Sequence, residues 1–199
     1  IVKDLERSHP MNRLLNGDVG SGKTVVSAVA LLNVALSGAQ GAYMAPTEIL
    51  ATQVYERISA LMRPFGISCA LVTAHKYQVS SIKYPVSRKE ALEKIHGGEI
   101  HIIIGTHALI QKSVRFNRLA LVIVDEQHRF GVNQRKALRE KNPSGEMPHL
   151  LSMTATPIPR SLSLALYGDL DLSILDEIPK GRKKIITKIV PSQYREWTA

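Results

Sequence analysis

One run of residues constrains the fold of this 199-residue chain more than any other: Gly17, Asp18, Val19, Gly20, Ser21, Gly22, Lys23 and Thr24. The run fits G-x-x-x-x-G-K-[ST] and stands between a short apolar stretch and a helix-like one, which is the setting of a phosphate-binding loop. Glycines let the backbone curl so that successive N–H groups face an anion, and the following helix adds the positive end of its dipole. The run therefore predicts a nucleotide-binding site at the junction of a strand and a helix.

Two side chains of this run have predicted chemical roles, and both require a nucleotide with Mg²⁺. We expect Lys23 to reach the β- and γ-phosphates of ATP, where its charge offsets theirs. The hydroxyl of Thr24 is a hard oxygen donor, so we expect it to bind the Mg²⁺ ion. ATP and Mg²⁺ are therefore the predicted cofactors.

A pair of carboxylates ends a strongly apolar stretch further along the chain. Residues 121–124 are Leu-Val-Ile-Val, and Asp125, Glu126, Gln127 and His128 follow them. Two carboxylates at the end of a buried strand are costly unless a ligand uses them, and a metal ion beside a phosphate loop is such a ligand. We expect Asp125 to hold the hydrated Mg²⁺ and Glu126 to orient and deprotonate an attacking water. The pattern therefore favours ATP hydrolysis.

Strand-length apolar runs alternate with helix-length segments along the chain. The predicted strands are residues 13–16, 41–45, 68–73, 100–105, 119–124 and 149–153. Several of them are continuous apolar runs, which is typical of strands buried on both faces of a parallel sheet. The predicted fold is therefore α/β, with a mainly parallel sheet and helices on both faces.

Helical periodicity predicts how the intervening segments pack. Residues 23–37 are apolar almost all round, so we expect this helix to lie against the sheet. A second helix starts near Thr47, and its apolar stripe is formed by Leu50, Val54, Ile58 and Leu61. Residues 87–96 are predicted to form a third helix that the two following glycines end.

Two threonines end another predicted strand. Thr154 and Thr156 are two residues apart, so both point to the same side of an extended backbone. They are placed to hydrogen-bond to the acidic pair and to sense hydrolysis. Alternatively, their hydroxyls cap the next helix, and residue types alone leave both interpretations open.

Net charge and two strand ends suggest a polyanionic partner. The chain has a formal net charge of +9, which favours nucleic acid. Two short segments lie where predicted strands end and helices begin, and exposed helix starts can hold DNA phosphates. Their residues are Pro46, Thr47, Glu48, Gly105, Thr106 and His107. The alternative is that they are ordinary helix caps, and the basic residues 135–141 are either a solvated helix face or a phosphate-contacting one.

The two ends of the chain bear on its domain organisation. The chain starts on Ile1 without an initiator methionine, so we expect it to begin inside a longer protein. Pro179 and Gly181 interrupt structure near residue 178, and a strand-like run, 185–190, is expected to belong to the next domain. No apolar run approaches the roughly 20 residues of a membrane-spanning helix, so no membrane partner is expected. The single cysteine, Cys69, fits a reducing compartment.

The order and spacing of these segments resemble those of superfamily 2 helicases. GDVGSGKT is similar to their motif I, APTEIL to motif Ia, GTHALI to motif Ib, DEQH to motif II and TAT to motif III. The flanks LALVIVDEQHRFGVNQR and TATPIPRSLSLALYGDLDLSILDEIP resemble, more narrowly, the bacterial branch-migrating DNA helicases of the RecG family. The transcription-repair coupling factors are the nearest rival family, but they typically have Phe where Ser21 stands and Glu where Gln127 stands.

For the chain as a whole, the resemblance implies the first motor domain of an ATP-dependent helicase that remodels replication forks and Holliday junctions in recombination and repair. Residues 1–178 would form this RecA-like P-loop NTPase domain, and residues 179–199 a linker and the truncated start of a second RecA-like domain. The family's second domain supplies an arginine finger, and its N-terminal wedge domain splits the DNA. We therefore expect this chain alone to be nearly inactive, and its setting to be the bacterial cytoplasm, in association with the nucleoid.

At the site, the resemblance adds Gln127 and His128 to the catalytic motif. It also implies that the strand ending at Thr154 lies between the strand before the phosphate loop and the strand before Asp125. Two alternatives come from other classes of protein. A P-loop phosphotransferase would need an acceptor pocket and a lid, for which no segment is recognisable. A DNA-binding module that uses ATP only as a switch would not need Glu126.

Overall fold

A computed structural model describes residues 1–7, 9–82, 84–126, 134, 137, 138, 140–142, 145–155 and 170–176. Its helices are α1 (Val2–Leu5), α2 (Lys23–Leu36), α3 (Glu48–Met62) and α4 (Arg88–His96), with 3₁₀ turns at Arg63–Phe65 and His107–Ile110. Its strands are β1 (Asn12–Gly17), β2 (Gln40–Met44), β3 (Cys69–Val72), β4 (Tyr77–Val79), β5 (Ile102–Gly105), β6 (Leu119–Asp125), β7 (His149–Thr154) and β8 (Asp171–Leu175).

The strands form one sheet in the order β4-β3-β5-β2-β6-β7-β1-β8. Every neighbouring pair is parallel except β3 and β4, which are antiparallel. The mainly parallel sheet is therefore confirmed, and β7 lies between β6 and β1 as the resemblance implies. This order matters for function because it brings the carboxyl ends of β1 and β6, one strand apart, to the same edge.

Two strands of the sheet have no counterpart among the predicted ones. β4 is only three residues long and adds an antiparallel edge to β3. β8 pairs with β1, and its residues are exposed or only partly buried. Because neither strand is a continuous apolar run, periodicity gives no signal for them.

Two apolar layers cover the faces of the sheet. Side chains of β6 alternate between them: Leu121 and Ile123 join the layer under α2 and α3, whereas Val122 and Val124 join the layer under α4. This alternation is the period of two expected of a strand buried on both faces. The expectation of helices on both faces is confirmed for the described helices.

The packing faces of two helices differ in detail from the predicted ones. The predicted stripe of α3 is wrong at its ends, because Leu50 is 39% and Leu61 is 45% exposed. The buried face instead runs through Ala51, Val54, Tyr55, Ile58 and Met62. Small Ala51 lets the helix start approach the sheet, which turns Leu50 outwards. α2 packs on the sheet as expected, but its outer face leaves Val25, Val29 and Leu36 more than half exposed.

A buried ion pair ties the start of the chain to β1. The carboxylate of Asp4 accepts a hydrogen bond of 2.8 Å from Arg13 Nε, and Arg7 lies 3.2 Å from its other oxygen. Arg13 also donates to Ser173 Oγ and Asp171 in β8, at 3.0 and 3.2 Å. Burial alone would raise the pKa of Asp4, but the hydrogen bond and charge of Arg13 outweigh it and hold that pKa below its ordinary value. Arg13 thus links β1, the strand that leads to the phosphate loop, to both α1 and β8.

Candidate nucleotide site and neighbouring strand ends

The phosphate loop begins where β1 ends and stops where α2 begins. Gly22 has a φ of +98°, in the left-handed region that favours glycine, and it is the residue from which α2 starts. Gly17 has no room for a side chain, because a Cβ there would lie 2.6 Å from Ser21 Oγ and 2.9 Å from Leu175 Cβ. Glycines at these two positions therefore allow the tight turn that a phosphate-binding backbone requires.

Lys23 folds back over its own loop. Its Nζ donates hydrogen bonds to the carbonyl oxygens of Gly17 at 2.6 Å and Asp18 at 2.9 Å. Two hydrogen bonds within the loop stiffen it. Val19 N donates to Asp18 Oδ1 at 2.7 Å, and Ser21 N donates to Asp18 O at 3.1 Å. The ammonium group therefore sits over the backbone cradle, where phosphate oxygens would compete with these carbonyls for its protons.

Asp125 lies at the same edge of the sheet as this loop. It pairs with Met153 of β7, and Met153 in turn pairs with Leu15 of β1, two residues before the loop. The hydroxyl of Ser27 in α2 contacts Met153 Sδ at 3.0 Å, which places the first turns of α2 over β7. The positive charge of Lys23 lies close enough to Asp125 to lower the pKa of its carboxyl, although other effects outweigh it. The structure thus brings the loop lysine and the strand-end carboxylate together.

The environment of Asp125 favours a bound cation. Burial raises the pKa of this carboxyl, the nearby charge of Glu126 raises it further, and a hydrogen bond from Tyr43 together with the Lys23 charge only partly offsets these effects. A carboxylate that is desolvated and repelled by a second carboxylate is stabilised by a hard divalent cation. Hence the raised pKa agrees with a metal-binding role.

Glu126 has an unusual backbone. Its φ of +53° is the one positive value among the described residues other than glycine. For a residue with a long side chain, such a conformation costs about 1–3 kcal/mol, and strain of this kind concentrates at functional sites. This backbone conformation changes the direction of the chain immediately after β6, next to Asp125, the predicted metal ligand.

Tyr43 is a site residue that the sequence pattern does not single out. It lies in β2, next to β6, and its hydroxyl donates to Asp125 Oδ2 at 3.0 Å. Burial and the two nearby carboxylates raise its pKa far above the ordinary value. One signal exists in the sequence, since a tyrosine inside a buried apolar strand needs a partner for its hydroxyl. The identity of that partner depends on strand order.

Thr154 is buried at the end of β7, level with Asn16 of β1. Its neighbour Met153 belongs to the apolar layer that also contains Tyr43, so by alternation Thr154 points to the opposite face. Thr156, Gln127 and His128 lie outside the described residues.

The two strand-end segments predicted to contact DNA lie side by side. The N–H of Ala45 donates to the carbonyl of Gly105 at 2.8 Å. Thr47 caps α3 by accepting from Leu50 N at 3.3 Å, and Thr106 caps the following 3₁₀ turn by accepting from Ala108 N at 3.4 Å. Both hydroxyls thus act as ordinary caps, while Pro46 and His107 are exposed.

Glu48 connects one of these segments to the loop after β3. Its Oε1 accepts hydrogen bonds from Ala74 N at 3.1 Å and from His75 Nδ1 at 3.2 Å. Desolvation alone would raise its pKa, but the hydrogen bond and charge of His75 and the hydrogen bond from the Ala74 backbone together outweigh it, so the pKa lies below the ordinary value. The carboxylate therefore ties the start of α3 to the loop after β3, which is a structural role whether or not DNA lies nearby.

Residues 111–115 form a basic loop beside the Gly105 segment. Lys141 Nζ donates to the carbonyls of Gln111 at 2.6 Å and Val114 at 2.7 Å, so this lysine faces the protein and is not part of a solvated helix face. Burial lowers the pKa of Lys141 to about 8. Lys112 and Arg115 of the same loop remain exposed. The other basic residues of the 135–141 stretch lie outside the described residues.

The described residues contain neither a metal-binding cluster nor a membrane span. Among the described residues, no group of three or more His, Cys, Asp or Glu side chains could form a metal site by itself. A Mg²⁺ ion does not need one, since it binds one or two protein oxygens together with phosphate and water. No described helix is both long and apolar enough to cross a membrane.

Comparison with known proteins gives a consistent result. The family model of DEAD/DEAH box helicases matches residues 3–165. The ATP-dependent DNA helicase RecG of Aquifex aeolicus is 51% identical over 196 residues, which are 98% of this chain and 24% of that protein. RecG of Bacillus subtilis is 54% identical over 187 residues, which are 94% of this chain and 26% of that protein. The chain thus spans about a quarter of the length of these relatives.

Solved structures agree with this match. The structure of RecG bound to a three-way DNA junction superposes with a TM-score of 0.80 and 42% identity, over 98% of this chain and 25% of that one. The DUF1998 helicase MrfA bound to DNA superposes with a TM-score of 0.61 over 88% of this chain and 26% of that one, at 18% identity. The second likeness shows a shared fold.

Proposed function

The chain belongs to the DEAD/DEAH box helicase family, and from that premise we propose that it is the first ATP-binding motor domain of an ATP-dependent DNA helicase. The proposed task is to remodel branched DNA, such as replication forks and Holliday junctions, in recombination and repair. The similarity to RecG over nearly the whole chain supports this. The observation that carries the proposal is the position of Lys23, over the end of β1, and of Asp125, at the end of β6, on one edge of the sheet.

Each residue of the nucleotide site has a task in this proposal. The loop from Gly17 to Thr24 holds the phosphates through its N–H groups, and Lys23 exchanges its carbonyl partners for the β- and γ-phosphates. Thr24 and Asp125 would hold Mg²⁺, whose donors here are the hard oxygens that this ion prefers. The ion supplies charge neutralisation at the phosphate oxygens. Glu126 orients a water and accepts its proton.

Two further residues of the acidic motif and the threonine pair complete the proposed site. Gln127 and His128 directly follow the acidic pair, and the motif resemblance supports a catalytic task for them. Thr154 and Thr156 would couple hydrolysis to movement.

The DNA track is proposed to follow the strand ends next to this site. Residues 46–48 and 105–107 would approach the phosphates mainly through backbone N–H groups, which all of them except Pro46 possess, because the hydroxyls of Thr47 and Thr106 already cap their own turns. The exposed basic side chains of Lys112 and Arg115 extend this surface. A duplex or branched DNA backbone would thus lie across the carboxyl edge.

The rest of the machine is proposed to come from the same full-length protein. A second RecA-like domain, whose start would lie within residues 179–199 after a linker, would supply an arginine finger, which accelerates related reactions by about 10³-fold or more. An N-terminal wedge domain would split the DNA. Since the RecG relatives come from bacteria, we place this activity in the bacterial cytoplasm, at the nucleoid.

The test is ATP hydrolysis by the full-length protein with and without forked DNA. We expect forked DNA to stimulate hydrolysis strongly, and we expect the 199-residue chain by itself to bind ATP weakly, hydrolyse it slowly and unwind nothing. Vigorous DNA-stimulated hydrolysis by the chain alone would contradict the proposed division of tasks. Transfer of phosphate to a nucleotide acceptor in place of water would instead indicate a phosphotransferase.

A further inference from the structure

Tyr43 stands out because its polar group is deep in the sheet. The residue is 1% exposed and belongs to the apolar layer under α2 and α3. Its hydroxyl lies 3.0 Å from Asp125 Oδ2, and among the described residues this carboxylate is the partner found for it. A buried hydroxyl is stable only with such a partner. A phenylalanine would fill the same space without needing a hydrogen-bond partner. The role of the hydroxyl is therefore its hydrogen bond to Asp125.

The direction of this hydrogen bond follows from the chemistry of its acceptor. A carboxylate has oxygens that only accept hydrogen bonds, so the Tyr43 hydroxyl donates and Asp125 Oδ2 accepts, at 3.0 Å. A carboxylate fixed through one oxygen has lost most of its rotational freedom, and its second oxygen can face only a narrow range of directions. Because β6 and β1 are one strand apart in a parallel arrangement, this carboxylate and the phosphate loop lie at the same edge of the sheet.

We propose that Tyr43 is a positioning residue for the Mg²⁺-binding carboxylate of Asp125. It holds Oδ2 so that the other oxygen meets the ion carried by a nucleotide in the phosphate loop. This inference rests on the proposed ATP site. Tyr43 would act through Asp125, so its effect is expected in the Mg²⁺ dependence of nucleotide binding. Partners of metal ligands act in this way in many metal sites.

The experiment compares Tyr43→Phe with the wild type in the full-length protein. Equilibrium binding of a fluorescent, non-hydrolysable ATP analogue is measured in EDTA and over a range of Mg²⁺ concentrations. We expect binding in EDTA to stay unchanged, and the Mg²⁺ concentration at half-saturation to rise roughly tenfold. Tyr55→Phe is the matched control, because Tyr55 is a buried tyrosine on α3 that lies near Cys69. It should change neither quantity.

A second comparison tests whether the tyrosine acts through Asp125. In an Asp125→Asn background, Tyr43→Phe should cause no further change in Mg²⁺ dependence, since the positioned carboxylate is already gone. An unchanged Mg²⁺ dependence of the single variant overturns the inference, and so does a parallel loss of binding in EDTA, which would indicate a general packing role. Absence of Mg²⁺-dependent binding in the wild type would instead overturn the proposed ATP site itself.

Discussion

The carboxyl edge of the sheet holds two regions that differ in how their polar groups are satisfied. The nucleotide region, formed by residues 17–24, 125 and 126, contains a carboxyl with a raised pKa and a strained backbone. The strand-end region, formed by residues 46–48 and 105–107, contains hydroxyls that already cap their own turns. A bound cation would offset the cost of the first arrangement, whereas the two hydroxyls of the second already have partners within the protein. ATP hydrolysis should therefore depend on the side chains of the nucleotide region. DNA binding should depend on the surface charge and the backbone around the strand-end region.

The largest expected effect tests the side chains of the nucleotide region. Glu126→Gln keeps the size of the side chain but removes the carboxylate that we propose takes a proton from water. In the full-length protein, ATP hydrolysis should fall roughly 10²- to 10⁴-fold, because general-base catalysis contributes about that much. ATP affinity should be retained, as steady-state hydrolysis and equilibrium binding would show together. A variant that turns over ATP at the wild-type rate would remove Glu126 from the mechanism.

The next effect tests surface charge beside the strand-end region. Reversal of two exposed charges, Lys112→Glu with Arg115→Glu, should weaken duplex DNA binding by the full-length protein roughly tenfold and reduce its salt slope by about 2. Lys3→Glu with Arg63→Glu changes net charge equally, on exposed residues of α1 and of the turn after α3, and is the control. Fluorescence anisotropy over a range of salt concentrations measures both quantities. Equal losses from the two pairs would mean that only net charge matters.

A smaller effect concerns the strand that carries the phosphate loop. Asp4→Asn removes the charge that pairs with Arg13, and it should lower the free energy of unfolding of the chain by roughly 1–3 kcal/mol, between the values for exposed and for buried pairs. Chemical denaturation at neutral pH measures this change.

The same pair predicts a pH dependence. The pKa of Asp4 is lower in the folded chain than its ordinary value of 3.8. Its stabilising contribution is therefore complete above that ordinary value and is lost as pH falls through the lower, folded value. The difference in unfolding free energy between wild type and Asp4→Asn should be constant near neutral pH and shrink in acid. A difference that stays constant into strong acid would show that Asp4 does not contribute through its charge.

The smallest effect tests the caps of the strand-end region. Thr47→Ala removes the oxygen that accepts from Leu50 N, and it should lower stability by about 1 kcal/mol. DNA affinity should change little, because the hydroxyl is already used within the protein. A large loss of DNA binding with unchanged stability would mean that this hydroxyl contacts DNA directly, and the contrast between the two regions would then fail.

The sequence predicts the elements of this fold better than their contacts. Continuous apolar runs predict the central strands, because burial on both faces leaves that pattern in a strand such as β6. β4 and β8 are short or exposed and leave no such pattern. The buried face of α3 runs through Ala51 and Met62, one position away from the predicted Leu50 and Leu61, and only packing against the sheet selects between these neighbouring faces.

The candidate site shows the same division. Lys23 and Asp125 are predictable because each belongs to a local pattern with its own chemistry. Tyr43 is not, because its pairing with Asp125 depends on β2 and β6 being neighbours, and that order follows from the three-dimensional crossover of the chain. Lys141 likewise resembles a surface lysine in sequence, although it binds two carbonyls of a distant loop.

The central claim is that Lys23 and Asp125 hold one Mg²⁺–nucleotide complex between them. A double-mutant cycle measures this most directly: binding of a non-hydrolysable ATP analogue at fixed Mg²⁺ by the wild type, Lys23→Ala, Asp125→Asn and the double variant. We predict that the two losses are not additive, with a coupling free energy of about 0.5–3 kcal/mol. Losses that add to within about 0.3–0.5 kcal/mol would show that the two residues act independently and would contradict the account.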